Sequence, residues 1–212
     1  MEKKKLILDL DRTIITSGDY KLQNEFFRNL YGESEQVNRF IQNIGHYLDH
    51  YEYMFKNYTI EDLSHYLTTV TGLTVTKKII SDWLDLRWYE TDYLEPGIIE
   101  LLEYAKSKDI RIVVLTNWFL KCQKDRLAHK DLLKYFDDVI GGEMCLKPHR
   151  EAYDMACGNF SRADCLVVGD NLYKDYLGPL IAGYDAVLYD QHDQEKGYVV
   201  KVKKIDEIKN ML

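Results

Sequence analysis

Apolar residues along this chain recur with two different periods, and the change of period divides it into three stretches. The first is an unbroken apolar run, Leu6-Ile7-Leu8, between a basic start (Lys3-Lys4-Lys5) and the carboxylates Asp9 and Asp11. Its length and lack of alternation predict a strand buried on both faces. From residue 15 to 95 the period is helical. Leu22, Phe26, Phe27 and Leu30 mark one amphipathic helix, closed by Gly32. Val37, Phe40, Ile41, Ile44, Leu48, Tyr51 and Phe55 mark a longer one. Thr59 with Asp62 resembles a cap before Leu63, Tyr66, Leu67 and Val70, and Gly72 closes that helix. Thr76 caps a fourth, carrying Ile79, Ile80, Trp83, Leu84 and Trp88. Helices this short do not bury a face alone, so together they predict a small bundle.

From Pro96-Gly97 onward strands and helices alternate. Ile98 to Ala105 reads as helix and Ile110 to Leu115 as a buried strand that stops at Thr116-Asn117. No element is assigned from there to Val139-Ile140, a short strand before Gly141-Gly142. Glu151 to Cys157 is helical, Leu166-Val167-Val168 is a strand ending at Gly169-Asp170, and Asp175 to Ala182 is helical with Pro179 in its first turns. Ala186-Val187-Leu188 is a strand, and Ile205 to Leu212 a closing helix. Such alternation predicts an α/β fold, a parallel sheet with helices on both faces. The expected division is an α/β core from residues 1–14 and 96–212, with residues 15–95 as a separate helical unit.

Composition narrows the function classes. The 212 residues are 46% hydrophobic and 30% charged, ordinary for a globular chain. No apolar run approaches the ~18 residues of a membrane span, and the first stops at Asp9, too short for a signal-peptide core. Cys122, Cys145, Cys157 and Cys165 form no CxxC pair and suit reduced thiols of a cytoplasmic protein. A net charge of −7 argues against a nucleic-acid-coating surface but leaves a small phosphorylated ligand open.

Chemistry gathers where strands end. Asp9 and Asp11 lie two apart at the mouth of a buried strand, where charge resists desolvation. Strand geometry would point both the same way, so a cation or a shared proton is expected to relieve them. Thr116-Asn117 and Gly169-Asp170-Asn171 end two further strands, on the edge where open α/β sheets bind ligands.

In order, these segments resemble the haloacid dehalogenase-like hydrolase superfamily. Its DxDxT motif is matched by Asp9-Leu10-Asp11-Arg12-Thr13, and its strand-end Thr by Thr116. Its Lys, often followed by Pro, is matched by Lys147-Pro148, and its GDxxxD by Gly169-Asp170 through Asp175. The resemblance implies a Rossmann-like, doubly wound core with residues 15–95 as an α-helical cap. It implies a Mg²⁺-dependent phosphatase of a small phosphorylated metabolite. Asp9 would be the nucleophile forming an aspartyl-phosphate, and Asp11 the general acid and base. Mg²⁺ would be held by the Asp9 carboxylate, the Asp11 backbone carbonyl and Asp170, an oxygen set suited to a hard cation. Thr116, Asn117 and Lys147 would contact substrate, Thr116 and Lys147 also serving catalysis. Asp175 and Asn171 would support them. Members that cleave carbon–halogen bonds usually lack the second Asp, so Asp11 favours phosphoryl transfer.

Three points qualify this picture. Four carboxylates (Asp9, Asp11, Asp170, Asp175) are expected to converge on one cation, Lys147, and to repel without a metal. Arg12 stands where Gly or Asn is commoner in the family; a surface role is the favoured reading. The six histidines show no metal-ligand pattern, although His149 follows Lys147-Pro148 and is a weak site candidate. Alternatives are a phosphomutase with the same intermediate, or a non-catalytic binding protein of this fold. No membrane or nucleic-acid partner is expected, and the chain is expected to be a monomer or homodimer.

Overall fold

The computed structural model describes residues 2–17 and 20–212; the side chain of Trp88, expected on the fourth helix, lies outside the described residues. The first apolar run forms strand β1 (Lys5–Leu8), buried throughout. The connector strand β2 (Ile15–Ser17) follows. The helical stretch contains α1 (Lys21–Tyr31), α2 (Glu35–Met54), α3 (Ile60–Thr71) and α4 (Lys77–Leu84). The chain returns through β3 (Asp92–Leu94), which pairs antiparallel with β2. This two-stranded ribbon was not expected. The rest runs α5 (Ile98–Ser107), β4 (Arg111–Leu115), α6 (Leu120–His129), β5 (Asp138–Ile140), α7 (Arg150–Cys157) and β6 (Cys165–Gly169). After a π-helical turn over Leu172–Leu177 come α8 (Gly178–Ala182), β7 (Asp185–Tyr189), β8 (Lys201–Val202) and a closing 3₁₀ turn, Ile205–Met211.

Caps fix the helix ends as their residue types require. Thr59 accepts from the Asp62 N–H and Thr76 from the Ile79 N–H, while Gly72 takes the left-handed conformation that closes α3. The expected helix from Asp175 is instead the π-helical turn joined to α8. The expected fourth helix stops at Leu84, short of Trp88.

The main sheet has six parallel strands in the order β5-β4-β1-β6-β7-β8, a doubly wound α/β core as expected. Alternate strand residues serve opposite faces. Leu6, Leu8, Ile112 and Val114 pack with Leu101, Leu102, Ile205 and Ile208. Ile7, Val113 and Val167 pack with Ala152, Tyr153 and Ala156 of α7. The inserted helices have their own apolar cluster, around Phe27, Phe40, Leu67, Ile80 and Trp83, which also takes in Phe119 and Leu146 of the core.

Sheet order decides where the chemistry lies. β1 is central, with Leu8 paired to Val114 on one side and Val168 on the other. Asp9, Thr116 and Asp170 therefore leave adjacent strands at one edge. Lys147 reaches that edge from the loop after β5.

Candidate active site

Asp9 is buried where β1 ends, and one of its oxygens accepts from the Lys147 ammonium at 2.6 Å. Thr13 lies at 3.5 Å from the other. Lys147 is itself buried and gives a second bond, also 2.6 Å, to Asp175. Burial opposes the Lys147 charge, but the two carboxylates outweigh it and raise its pKa. For Asp9 burial dominates: with repulsion from Asp175, Asp170 and Asp11 it overcomes Lys147 and pushes the carboxyl up to about 8. Asp170, partly buried among acids, is pushed up to about 6 despite Arg12 beside it.

Gly169 permits the close packing of this cluster. A Cβ there would run into the Asp175 carboxylate, which also accepts from the Asn171 N–H at 3.1 Å. Asn171 caps the π-helical turn by accepting from the N–H groups of Tyr173 and Lys174. Asp175 thus holds the Lys147 ammonium, and the Asn171 N–H holds Asp175.

Asp11 faces other partners. The chain turns sharply after it, with Arg12 in the left-handed region at φ 60°. That conformation accounts for the Gly or Asn common in the family at this place. One Asp11 oxygen accepts from Arg126 Nη1 at 2.5 Å, the other from Gln123 Nε2 at 2.8 Å. Burial resists the Asp11 charge, but the guanidinium and the amide hold the carboxyl below the usual range. The two aspartates that sequence spacing set side by side thus have separate cations.

This corrects the charge count made from sequence. The four acids meet three cations, Lys147, Arg126 and Arg12, because Arg12 pairs with Asp170 at 2.9 Å. Arg12 lies at the surface, as expected, but is tied to the site through Asp170. Gln123 and Arg126 lie on α6, a helix that apolar periodicity does not predict. Their only sequence signal is spacing: three apart on a helix, they share a face.

The remaining candidates are placed as follows. The Thr116 hydroxyl is buried at the end of β4 and accepts from Gln123 at 2.8 Å. Asn117 commits its side chain to Lys147, accepting from its N–H and donating to its C=O, both at 2.8 Å, and donates to Glu52 of α2 at 2.9 Å. It fixes the Lys147 backbone. His149 bonds to the Phe55 carbonyl at 2.9 Å and so fastens the end of α2 to the core. Among the described residues, oxygens of Asp9, Asp170 and Asp175 lie within 4.8 Å of one another, close enough for one cation. The donors are all carboxylate oxygens, and burial leaves two of them with raised pKa values. That is the chemistry a hard divalent ion satisfies.

A cleft of about 230 Å³ opens over these groups. Its other walls come from the inserted helices and the connector, including Ser17, Tyr20, Leu48, Glu52 and Trp83, with Trp118 from the core. No described helix is long and apolar enough to cross a membrane.

The chain is similar to several known proteins. Pyrimidine 5'-nucleotidase YjjG of Escherichia coli (strain K12) is 32% identical over 106 residues, 48% of this chain and 47% of that protein. Human N-acylneuraminate-9-phosphatase is 33% identical over 86 residues, 39% of this chain and 35% of that protein. The chain thus aligns with about half or less of these curated relatives. The magnesium-bound HAD-hydrolase YfnB of Bacillus subtilis has the same fold, with TM-score 0.69, 18% identity, and coverage of 100% of this chain and 99% of that one. The sequence profile of haloacid dehalogenase-like hydrolases matches residues 4–183, all of the helical insert and the core as far as the end of α8. The chain belongs to the haloacid dehalogenase-like hydrolase family.

Proposed function

We propose that the protein is a Mg²⁺-dependent phosphatase that hydrolyses a small phosphoric monoester through an aspartyl-phosphate on Asp9. The observation that carries this reading is the division of partners between the two aspartates. Asp9 is aimed by Lys147, and Asp11 is held beside it on Arg126 and Gln123. One carboxylate would then attack and the other would move protons.

In the first step an Asp9 oxygen bonds to phosphorus while the ester P–O bond breaks. The leaving oxygen takes a proton from Asp11. In the second, a water oxygen bonds to phosphorus and gives its proton to Asp11. The P–O bond to Asp9 then breaks and its electron pair returns to the carboxylate. Lys147 and the Thr116 hydroxyl would bind phosphoryl oxygens. The carboxylates of Asp9 and Asp170, with the Asp11 carbonyl, would hold Mg²⁺, which supplies charge neutralisation for the phosphoryl group. Asp175 stands by that set but is engaged with Lys147.

The helices of residues 15–95 act in this reading as a cap over the leaving group. Trp83, Trp118 and Tyr20 in the cleft walls support a flat or partly apolar leaving group. With the Escherichia coli relative named as a nucleotidase, nucleoside monophosphates are the first esters to assay. Asp9→Asn is expected to bring Mg²⁺-dependent phosphate release to background while circular dichroism stays unchanged. Turnover by that variant at the wild-type rate would exclude Asp9 as nucleophile.

A further inference from the structure

Gln123 and Arg126 lie on one face of α6, and both are buried although polar. Burial of such groups is tolerated only when their hydrogen bonds are made. Here nearly all are. Arg126 grips Asp92 of β3 through Nε at 2.7 Å and Nη2 at 3.1 Å, and Ser17 of β2 through Nη2 at 3.2 Å. Ser17 in turn donates to Asp92 at 3.0 Å. The remaining nitrogen, Nη1, donates to Asp11 and to Gln123 Oε1, the latter at 2.8 Å. The guanidinium is thus anchored on the connector ribbon at one side and faces the site at the other.

This settles which way the Gln123 amide points. Arginine only donates, so the oxygen of the amide must face it, and a flipped amide would set donor against donor. Both Nε2 hydrogens are then directed away, one to Asp11 and one to the Thr116 hydroxyl, each at 2.8 Å. Two consequences follow. Thr116 Oγ1 already accepts, so its own hydrogen is left for a phosphoryl oxygen. The Asp11 carboxylate receives a donor on each oxygen and is held in a single orientation.

We propose that Gln123 and Arg126 are positioning residues for the hydrolysis of the phosphorylated enzyme, Arg126 orienting the Gln123 amide and the pair together fixing Asp11 and the Thr116 hydroxyl. The proposal rests on the phosphatase reading above. The step most dependent on it is the second one, where water bonds to phosphorus, its proton passes to Asp11, and the P–O bond to Asp9 breaks. Formation of the intermediate from an aryl ester depends on Asp11 less, because an aryloxide leaves without a proton.

The test is rapid-quench kinetics with p-nitrophenyl phosphate and Mg²⁺ on wild type, Gln123→Met, Gln123→Glu and Arg126→Lys. Gln123→Met is expected to slow breakdown of the intermediate about 100-fold and its formation less than about tenfold, so that phosphorylated enzyme accumulates. Gln123→Glu still accepts from Arg126 but cannot donate to Asp11 or Thr116, and is expected to give no rescue. Arg126→Lys keeps the charge without the fork, and is expected to lie between wild type and Gln123→Met. If a Gln123 variant does not fold, the Arg126→Lys comparison stands alone. A purely structural role would slow both steps in parallel and would be restored by Gln123→Glu; either result overturns the proposal. The Asp11 rotamer in a crystal structure of Gln123→Met gives a readout independent of turnover. It is expected to shift, and an unmoved carboxylate also overturns the proposal. A wild-type enzyme that releases no phosphate from any ester overturns the phosphatase reading instead, and the rotamer still decides the positioning.

Discussion

Asp9 carries an unusual load for a residue with a cation 2.6 Å away. Burial and three neighbouring acids still push its carboxyl up to about 8. The folded chain therefore holds a proton that the unfolded chain releases, across the window from about 4 to about 8. Raised acid pKa values oppose folding as pH rises, so this residue makes the metal-free protein less stable at pH 8 than at pH 6. A divalent cation bound on Asp9 and Asp170 would expel the proton and reverse the effect. Mg²⁺ is expected to raise the melting temperature more at pH 8 than at pH 6, as read by differential scanning fluorimetry. An equal rise at both pH values would count against a site built on Asp9. Asp11, with its own guanidinium, adds nothing to this dependence above pH 6, since its carboxyl is held below the usual range.

Elements were legible in the sequence where their buried face is apolar or their ends are capped by local chemistry. α3 shows both. Thr59 accepts from the Asp62 N–H at 3.0 Å and donates to the Asp62 carboxylate at 2.7 Å, and Gly72 ends the helix at φ 70°. Thr59→Ala is expected to cost about 1 kcal/mol, a fall of about 2–4 °C in Tm, with Thr59→Ser nearly neutral. Thermal denaturation of the three proteins checks this. α6 was illegible for the opposite reason. Its buried face includes Gln123 and Arg126, satisfied by partners from β2, β3 and the loop after β1, and no periodicity of apolar residues reports such burial. β2, β3 and β8 are two or three residues long, too short for a period to show. The candidate site divides along the same line. Asp9, Asp11, Thr116, Lys147, Asp170 and Asp175 end strands or follow them and were visible as motifs. Gln123, Arg126 and Glu52, which connect them, lie within helices and depend on tertiary pairing.

Across the whole molecule the inserted helices and the sheet core are joined by polar contacts concentrated at the end of α2. Glu52 is buried there and accepts from Tyr58, from Asn117 and from Lys174 of the π-helical turn. Lys174 also reaches Asp49 at 2.6 Å, a carboxylate half exposed to solvent. A buried pair and an exposed pair on the same lysine should differ in worth. Glu52→Ala leaves Lys174 and Asn117 without their shared acceptor and is expected to cost about 3 kcal/mol. Asp49→Ala is expected to cost less than about 1 kcal/mol. Urea unfolding of each variant makes the comparison, and equal losses would show that Glu52 is not the principal fastening.

The central place of β1 has a consequence for how the chain is made. Its neighbours in the sheet are β4 and β6, whose first partners, Arg111 and Cys165, are synthesised long after Lys5. Until then Leu6, Ile7 and Leu8 have no sheet to join, while the helices between them and β4 can already gather their own aromatic cluster. Contacts this distant along the chain make folding slow and leave an apolar strand uncovered on the way. Asp9, the proposed nucleophile, is thus encoded beside a strand whose two sheet neighbours come much later in the chain. A ribosome-bound chain ending before Arg111 would hold neither sheet partner of β1.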